Sequence, residues 1–309
     1  MKNSILFCLT ILLLACGQNS DQSQTTQAKK IVIGATMLSM QSEYIVNLSD
    51  EMQKKAQQMG VELILVDAER SALKQIEQVE SFIAQKVDVI ILNPCEVAAS
   101  SPAVDKALAA NIPIINVNSA TTTAPTAFVG SDDAEAGRMA MQLIADKLGG
   151  KGNVCMIHGY MGQTAQIQRE QGAKEILKKY PNLKLIAQQA GDWDRAKGLE
   201  LMENWIQSFG TQINAVFAQN DEMGMGALKA LQAAKLKDKV LLVSIDAIAD
   251  ALQAVKQGTL NATILQNSQQ QGAGAIETAV KIAKKEKFDK QMLIPFQLVT
   301  KANIAQFTK

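Results

Sequence analysis

The chain has 309 residues, of which 47% are hydrophobic and 20% charged, and its formal net charge is +1. That length allows two domains with separate cores, and near-neutrality removes the electrostatic footprint of a nucleic-acid binder. Beyond the N-terminal segment no apolar run is long enough to cross a bilayer as a helix.

The first residues read as a targeting segment. Met1-Lys2-Asn3 supplies a short positive start, and Ile5 to Ala15 is an apolar run of signal-peptide length. It ends in Leu13-Leu14-Ala15-Cys16, which is similar to a bacterial lipobox. Residues 1–15 are therefore expected to be a lipoprotein signal peptide, with Cys16 the lipidated residue. The alternative is an ordinary signal peptide with an incidental cysteine. Residues 16–29 are rich in Gln, Ser and Thr without apolar periodicity, as in a flexible tether. Apart from Cys8 and Cys16, only Cys95 and Cys155 remain; they fall on different strand units and read as buried free thiols.

From Lys30 the pattern alternates strand and helix. Residues 31–35, 61–67, 87–92 and 112–117 are apolar strand-like runs, separated by helical periodicity over 43–59, 72–84 and 98–110. Continuous apolar runs such as Val87 to Leu92 suit a sheet buried on both faces. The rhythm restarts after a helix over 132–148, broken by Gly149-Gly150. Strands follow at 153–157, 183–187, 215–218, 240–245 and 262–265, and helices at 163–179, 195–207, 222–234, 248–256 and 269–285. The expected fold class is α/β, with two doubly wound parallel-sheet lobes of similar size.

Parallel-sheet folds bind ligands beyond the carboxyl ends of their strands. The residues expected there are Ser42 and Tyr44, then Asn93, then Asn116 and Asn118 in the first half. In the second half they are Trp193 between Asp192 and Asp194, then Asn220, Asp246 and Gln266. Amides and carboxylates pair well with hydroxyls, and Tyr and Trp faces can cover the C–H faces of a ring. Each residue also has a plain structural reading. Asn220, Asp221, Glu222, Asp132 and Asp133 suit helix caps, Asn93 before Pro94 suits a turn, and Tyr44 and Trp193 suit packing. Met139, Met141, Met202 and Trp205 sit at helical spacing and read as core or helix surface.

The segment Ala218-Gln219-Asn220-Asp221-Glu222-Met223-Gly224 is similar to the hallmark of ribose-type periplasmic binding proteins. The same family is resembled by Asp192-Trp193-Asp194-Arg195, by Leu92-Asn93-Pro94, by Ile112-Pro113-Ile114 and by Phe128-Val129-Gly130-Ser131-Asp132-Asp133. The resemblance runs from about Lys30 to about Thr300. It implies a type I periplasmic binding protein fold, with lobes at residues 30–131 plus 267–297 and at 132–266 plus 298–309, joined by three crossings. It implies ligand contacts from Ser42, Tyr44, Asn93, Asn118, Trp193, Asn220, Asp246 and Gln266, with Tyr44 and Trp193 sandwiching the ligand ring. Gln166 and Arg169 are further candidates, Arg169 matching a family arginine closer to a structural one.

The chain departs from the ribose pattern. Family sugar-binding arginines are replaced by Ser119 and Ile167, the aspartate before the first becomes Asn118, and an aromatic becomes Ile45. The runs Gln166-Ile167-Gln168-Arg169 and Met202-Glu203-Asn204-Trp205 look more like the inositol and rhizopine-binding branch. The resemblance implies a monomeric, non-enzymatic solute-binding protein outside the cytoplasmic membrane, held there by its lipid alone. It would pass a polyhydroxylated ligand to the permease of an ABC importer, or present it to a chemoreceptor or sensor kinase. No cofactor, metal or nucleic acid is expected. His158 is the single histidine, leaving no partnered catalytic triad. A sugar hydrolase using Asp192, Asp194 and Asp246 is a rival reading. A repressor would need a DNA-binding helix-turn-helix where the signal segment stands.

Overall fold

The computed structural model describes residues 30–308. The expected signal peptide, Cys16 and the tether lie outside the described residues.

The first sheet contains β1 (Val32–Met37), β2 (Glu62–Asp67), β3 (Val89–Leu92), β4 (Ile114–Val117) and β5 (Ala127–Gly130), with β11 (Gln291–Leu293) at its edge. Their order is β11-β5-β4-β3-β1-β2, all parallel. Side chains alternate across it as strand geometry requires. Val89 and Ile91 pack under α1 (Glu43–Gln58) and α9 (Ser268–Ala283). Ile90 and Leu92 pack under α2 (Ala72–Gln85) and α3 (Ser101–Ala109). Burial on both faces is why these strands are uniformly apolar.

The second sheet repeats the plan with β6 (Lys151–His158), β7 (Asn182–Ala190), β8 (Ala215–Ala218), β9 (Leu241–Asp246), β10 (Ala262–Leu265) and β12 (Gln297–Thr300). Its order is β12-β10-β9-β8-β6-β7. Val154, Met156 and Phe217 face α4 (Asp133–Lys147) and α5 (Thr164–Lys179). Cys155, Ile157 and Val216 face α6 (Arg195–Phe209), α7 (Asp221–Ala233) and α8 (Ala249–Gln257). Two α/β lobes with parallel cores result, as the alternation predicts.

Within the run 128–133, residues 128–130 belong to β5, and the chain leaves the first sheet directly after them. Two features differ from the sequence reading. Strands β11 and β12 were not expected, and β12 runs antiparallel to β10, pairing Gln297 with Leu265. Gln297 therefore begins a strand of the second sheet. The chain passes between the sheets three times: after β5, after β10, and between β11 and β12.

Cys95 and Cys155 are free, fully buried and in separate lobes, and burial pushes both thiols up to about 12.

The ligand cleft between the lobes

The carboxyl ends of both sheets face one cleft, whose about 460 Å³ of empty space includes space open to solvent. From the first lobe, β1 runs out into Leu38 and Ser39, and the start of α1 brings Ser42, Tyr44 and Ile45. Arg70 comes from the β2–α2 turn, and Asn118 from the end of β4 in a left-handed conformation (φ 67°). The second lobe supplies Gln163, Ala165 and Arg169 from the start of α5, and Trp193 from the loop after β7. Asn220, Asp246 and Gln266 stand two residues after β8, at the end of β9 and immediately after β10.

Arg169 organises the second lobe's wall. It is 2% exposed, and its Nε donates to Asp133 Oδ1 at 2.8 Å. One Nη donates to the Gln219 carbonyl and the other to Gln266 Oε1 at 3.0 Å. The guanidinium also lies 3.9 Å from Asp246 Oδ1 and 5.6 Å from the centre of the Trp193 ring. Asp133 reaches it because α4 and α5 cross nearly backbone to backbone. A Cβ on Gly137 would fall 2.1 Å from the Arg169 carbonyl oxygen, and one on Gly172 would fall 2.0 Å from that of Ala134.

This wiring leaves particular groups for a ligand. Gln266 spends its oxygen on Arg169, so its Nε2 is a buried donor without a partner among the described residues. Asn220 uses Oδ1 to cap α7 through Met223 N–H at 3.0 Å, leaving its amide nitrogen. Asp246 is the acceptor. Burial drives its carboxyl well above the usual range; Arg169 opposes that lift and Asp221, Glu222 and Asp133 add to it.

The aromatic residues are fixed by their polar edges. Trp193 donates Nε1–H to Gln163 Oε1 at 2.7 Å, and its ring occupies the space a Cβ on Gly159 would need, 1.8 Å away. Tyr44 donates its hydroxyl to Gln271 Oε1 at 3.0 Å and accepts from Asn118 Nδ2 at 3.2 Å. Burial, reinforced by the charges of Asp246 and Asp133, pushes the Tyr44 phenol well up, so it stays neutral.

Contacts across the cleft hold the lobes together. Val97 N–H donates to the Gly162 carbonyl at 2.9 Å, Ala120 N–H to Thr164 Oγ1 at 3.0 Å, and Ala249 N–H to Glu43 Oε1 at 2.9 Å.

Several expectations need correction. Asn93 does not line the cleft. It is fully buried, accepting from Leu38 N–H at 3.2 Å and donating to the Val117 carbonyl at 3.1 Å, and so ties β1 to β4 behind the wall. Gln166 is likewise used internally, accepting from Gly162 N–H and donating to Glu170 at 2.9 Å. Asp132 caps α4, but Asp133 is the partner of Arg169 rather than a cap. Asp221 is no cap either: it accepts from Ser244, from Thr263 at 2.8 Å and from Ile248 N–H at 3.0 Å, fastening α7 to β9 and β10. Neither Ser119 nor Ile167, which stand at the replaced arginines, is among the cleft-lining residues; Ile167 is 45% exposed. Arg70 and Gln163 were missed, because nothing in a loop's composition says which of its side chains a turn will aim inward. Among the described residues no His, Cys, Asp and Glu cluster could hold a metal ion.

Two α/β lobes closing on a cleft lined by amides, a carboxylate and two aromatics define a two-lobe solute-binding protein. The chain belongs to the periplasmic binding protein family, matching the periplasmic binding protein domain over residues 33–287. It is 37% identical to the xylitol-binding protein of Mycolicibacterium smegmatis, covering 94% of this chain and 82% of that one. It is 35% identical to the ribose import binding protein of Bacillus subtilis, covering 97% and 99%. A solved ABC transporter solute binding protein from Bacillus halodurans, with bound myo-inositol, superposes with a TM-score of 0.88 at 36% identity, covering 92% of this chain and 99% of that one.

Proposed function

We propose that this protein captures a small polyhydroxylated molecule, a sugar or cyclitol, between its lobes and delivers it to the permease of an ABC importer. The cleft chemistry carries this reading. A buried carboxylate, Asp246, faces the same cleft as the unpartnered Gln266 amide and the Asn220 amide. Hydroxyl groups both donate and accept, so one polyol can satisfy all three. Trp193 and Tyr44 supply apolar area for the C–H faces of the ligand. Relatives that bind ribose, xylitol and myo-inositol support the same class.

The ligand contacts we assign are Ser42, Tyr44, Asn118, Trp193, Asn220, Asp246 and Gln266, with Arg169 positioning Gln266 and Trp193. The lobes are residues 30–131 plus 267–296 and 132–266 plus 297–308. Binding works by hinge closure, the recognised motion of periplasmic binding proteins. Only the closed form presents both sets of contacts, so a ligand that bonds both lobes shifts the population towards it. A lipid on Cys16 would hold the body near the permease.

Thermal denaturation with myo-inositol, xylitol, ribose and an unrelated amino acid tests the class. At a hundred times its dissociation constant, a cognate polyol stabilises the folded state by about 2.7 kcal/mol and raises the melting temperature. No rise with any polyol would sink the reading. Loss of labelled-ligand uptake in cells lacking the protein would mark transport; intact uptake would mark sensing.

A further inference from the structure

The turn between β2 and α2 holds a cation that none of the ligand contacts assigned above includes. Glu69 and Arg70 both adopt left-handed backbone, at φ 52° and 64°, which is uncommon for residues bearing a Cβ. Hydrogen bonds fix the turn: Glu69 N–H donates to Asp67 Oδ1 and Arg70 N–H to the Leu38 carbonyl, both at 2.7 Å. The Arg70 side chain thereby lines the cleft from the first lobe.

The carboxylates around it are engaged elsewhere. Glu69 pairs with Lys74 at 2.7 Å, Asp67 accepts the backbone N–H groups of Met40 and Glu69, and Asp192 on the facing lobe pairs with Lys197 at 2.5 Å. The Arg70 guanidinium has no hydrogen-bond or ion-pair partner among the described residues. Its charge reaches Lys197 across the cleft: the Asp192 hydrogen bond holds that ammonium above its usual range, and Arg70 works against the lift.

A guanidinium donates in a planar fork and accepts nothing, so it suits two adjacent oxygens. We propose that Arg70 is a specificity-determining ligand contact, its fork taking two neighbouring oxygens on the ligand edge that faces the first lobe. This rests on the proposed function. It gives the ligand an orientation, with hydrogen-donating hydroxyls towards Asp246 and an oxygen-accepting edge towards Arg70, and it disfavours an amine on that edge. The paired oxygens are either a vicinal diol of a neutral polyol or the carboxylate of a sugar acid.

Calorimetric titration of wild type, Arg70→Ala and Arg70→Lys with myo-inositol, xylitol, ribose and D-glucuronate, at low and high salt, tests this. The best-bound ligand should lose about 10- to 100-fold in affinity in Arg70→Ala, with a smaller loss in Arg70→Lys. The ligand ranking should change, and the melting temperature of the ligand-free protein should not. Tightest binding of glucuronate, weakened by salt, identifies the carboxylate; tightest binding of a neutral polyol, indifferent to salt, identifies the diol. Affinities within twofold of wild type, or an equal loss for every ligand, overturn the proposal while leaving the proposed function standing. A wild type that binds none of the four removes the proposed function, and this role with it.

Discussion

Burial lifts the Asp246 carboxyl well above the usual carboxylate range, and hydroxyls donating to it would favour its ionised form. Ligand binding then releases a proton from the fraction of molecules in which Asp246 is protonated. The sign follows directly: affinity falls as pH is lowered through the raised range, because the protonated carboxyl must lose its proton before it can accept two hydroxyls. We expect isothermal titration in buffers of different ionisation enthalpy to detect that release. Asp246→Asn should abolish the pH dependence and weaken binding by about 1.5–3 kcal/mol; affinity independent of pH in the wild type would argue against an Asp246 contact. At this scale the sequence was only partly informative. Trp193, Asn220, Asp246 and Gln266 were legible because they end strands or lie within three residues of their carboxyl ends. Asn93 occupies an equivalent place, yet its side chain turns back to bond Leu38 and Val117. Chain position selects the rim of a sheet, whereas hydrogen-bond competition decides which rim residues remain available.

Helix α8 begins without a side-chain cap of its own, since its N-cap residue is Ile248. Glu43, in the first turn of α1 on the other lobe, accepts from its Ala249 N–H at 2.9 Å. A carboxylate at a helix N-terminus is favoured by both the hydrogen bond and the dipole, and here the contact spans the lobes. Glu43→Ala should therefore weaken every ligand by one common factor, about 2- to 5-fold for a cap worth about 0.5–1 kcal/mol. Unchanged affinities, or a change in ligand preference, would show that Glu43 does not act through closure; competition titrations with two ligands of different shape read this directly. Elements with strong periodicity were predictable, and the short edge strands were not. β11 is three exposed residues with no alternation to detect. β12 carries a strand pattern of only four residues, set off from β11 by Ile294-Pro295-Phe296, and its antiparallel direction is set by the return of the chain.

Asp221 bears on the whole molecule's stability. Burial raises its carboxyl to about 7 despite the opposing hydrogen bonds from Ser244, Thr263, Ile248 and Ala247. An unfolded chain holds this group near 3.9, so between about pH 4 and 7 the folded protein binds the extra proton. Stability from this group is thus greatest at the acidic end and declines as pH rises towards 7, at most by about 1.4 kcal/mol per pH unit. Melting curves of wild type and Asp221→Asn should differ in slope over that window, the variant being flatter because its amide carries no titrating proton. Parallel slopes would mean that the three fastened elements hold Asp221 ionised throughout. Strand alternation and uniformly apolar runs made two lobes foreseeable at this scale; their mutual placement depends on backbone contacts such as Val97 with Gly162, which leave no mark in residue type.

The interleaving of the sheets also sets an order of assembly. α9 covers the same face of the first sheet as α1, and β11 borders β5 at that sheet's edge, though the whole segment carrying β6 to β10 and their helices intervenes. The first lobe to be synthesised is consequently the one that cannot finish without the chain's end. Until residues 268–293 arrive, its apolar face under α1 lacks its second helix and the outer edge of β5 has no neighbour. Such long-range closures are slow and leave unpaired edges open to other chains in the meantime. The second lobe depends on the C-terminal segment only through the edge strand β12 and the residues packed behind it. A nascent chain truncated before α9 should accordingly hold its second lobe in better order than its first, reversing the order in which the two are made.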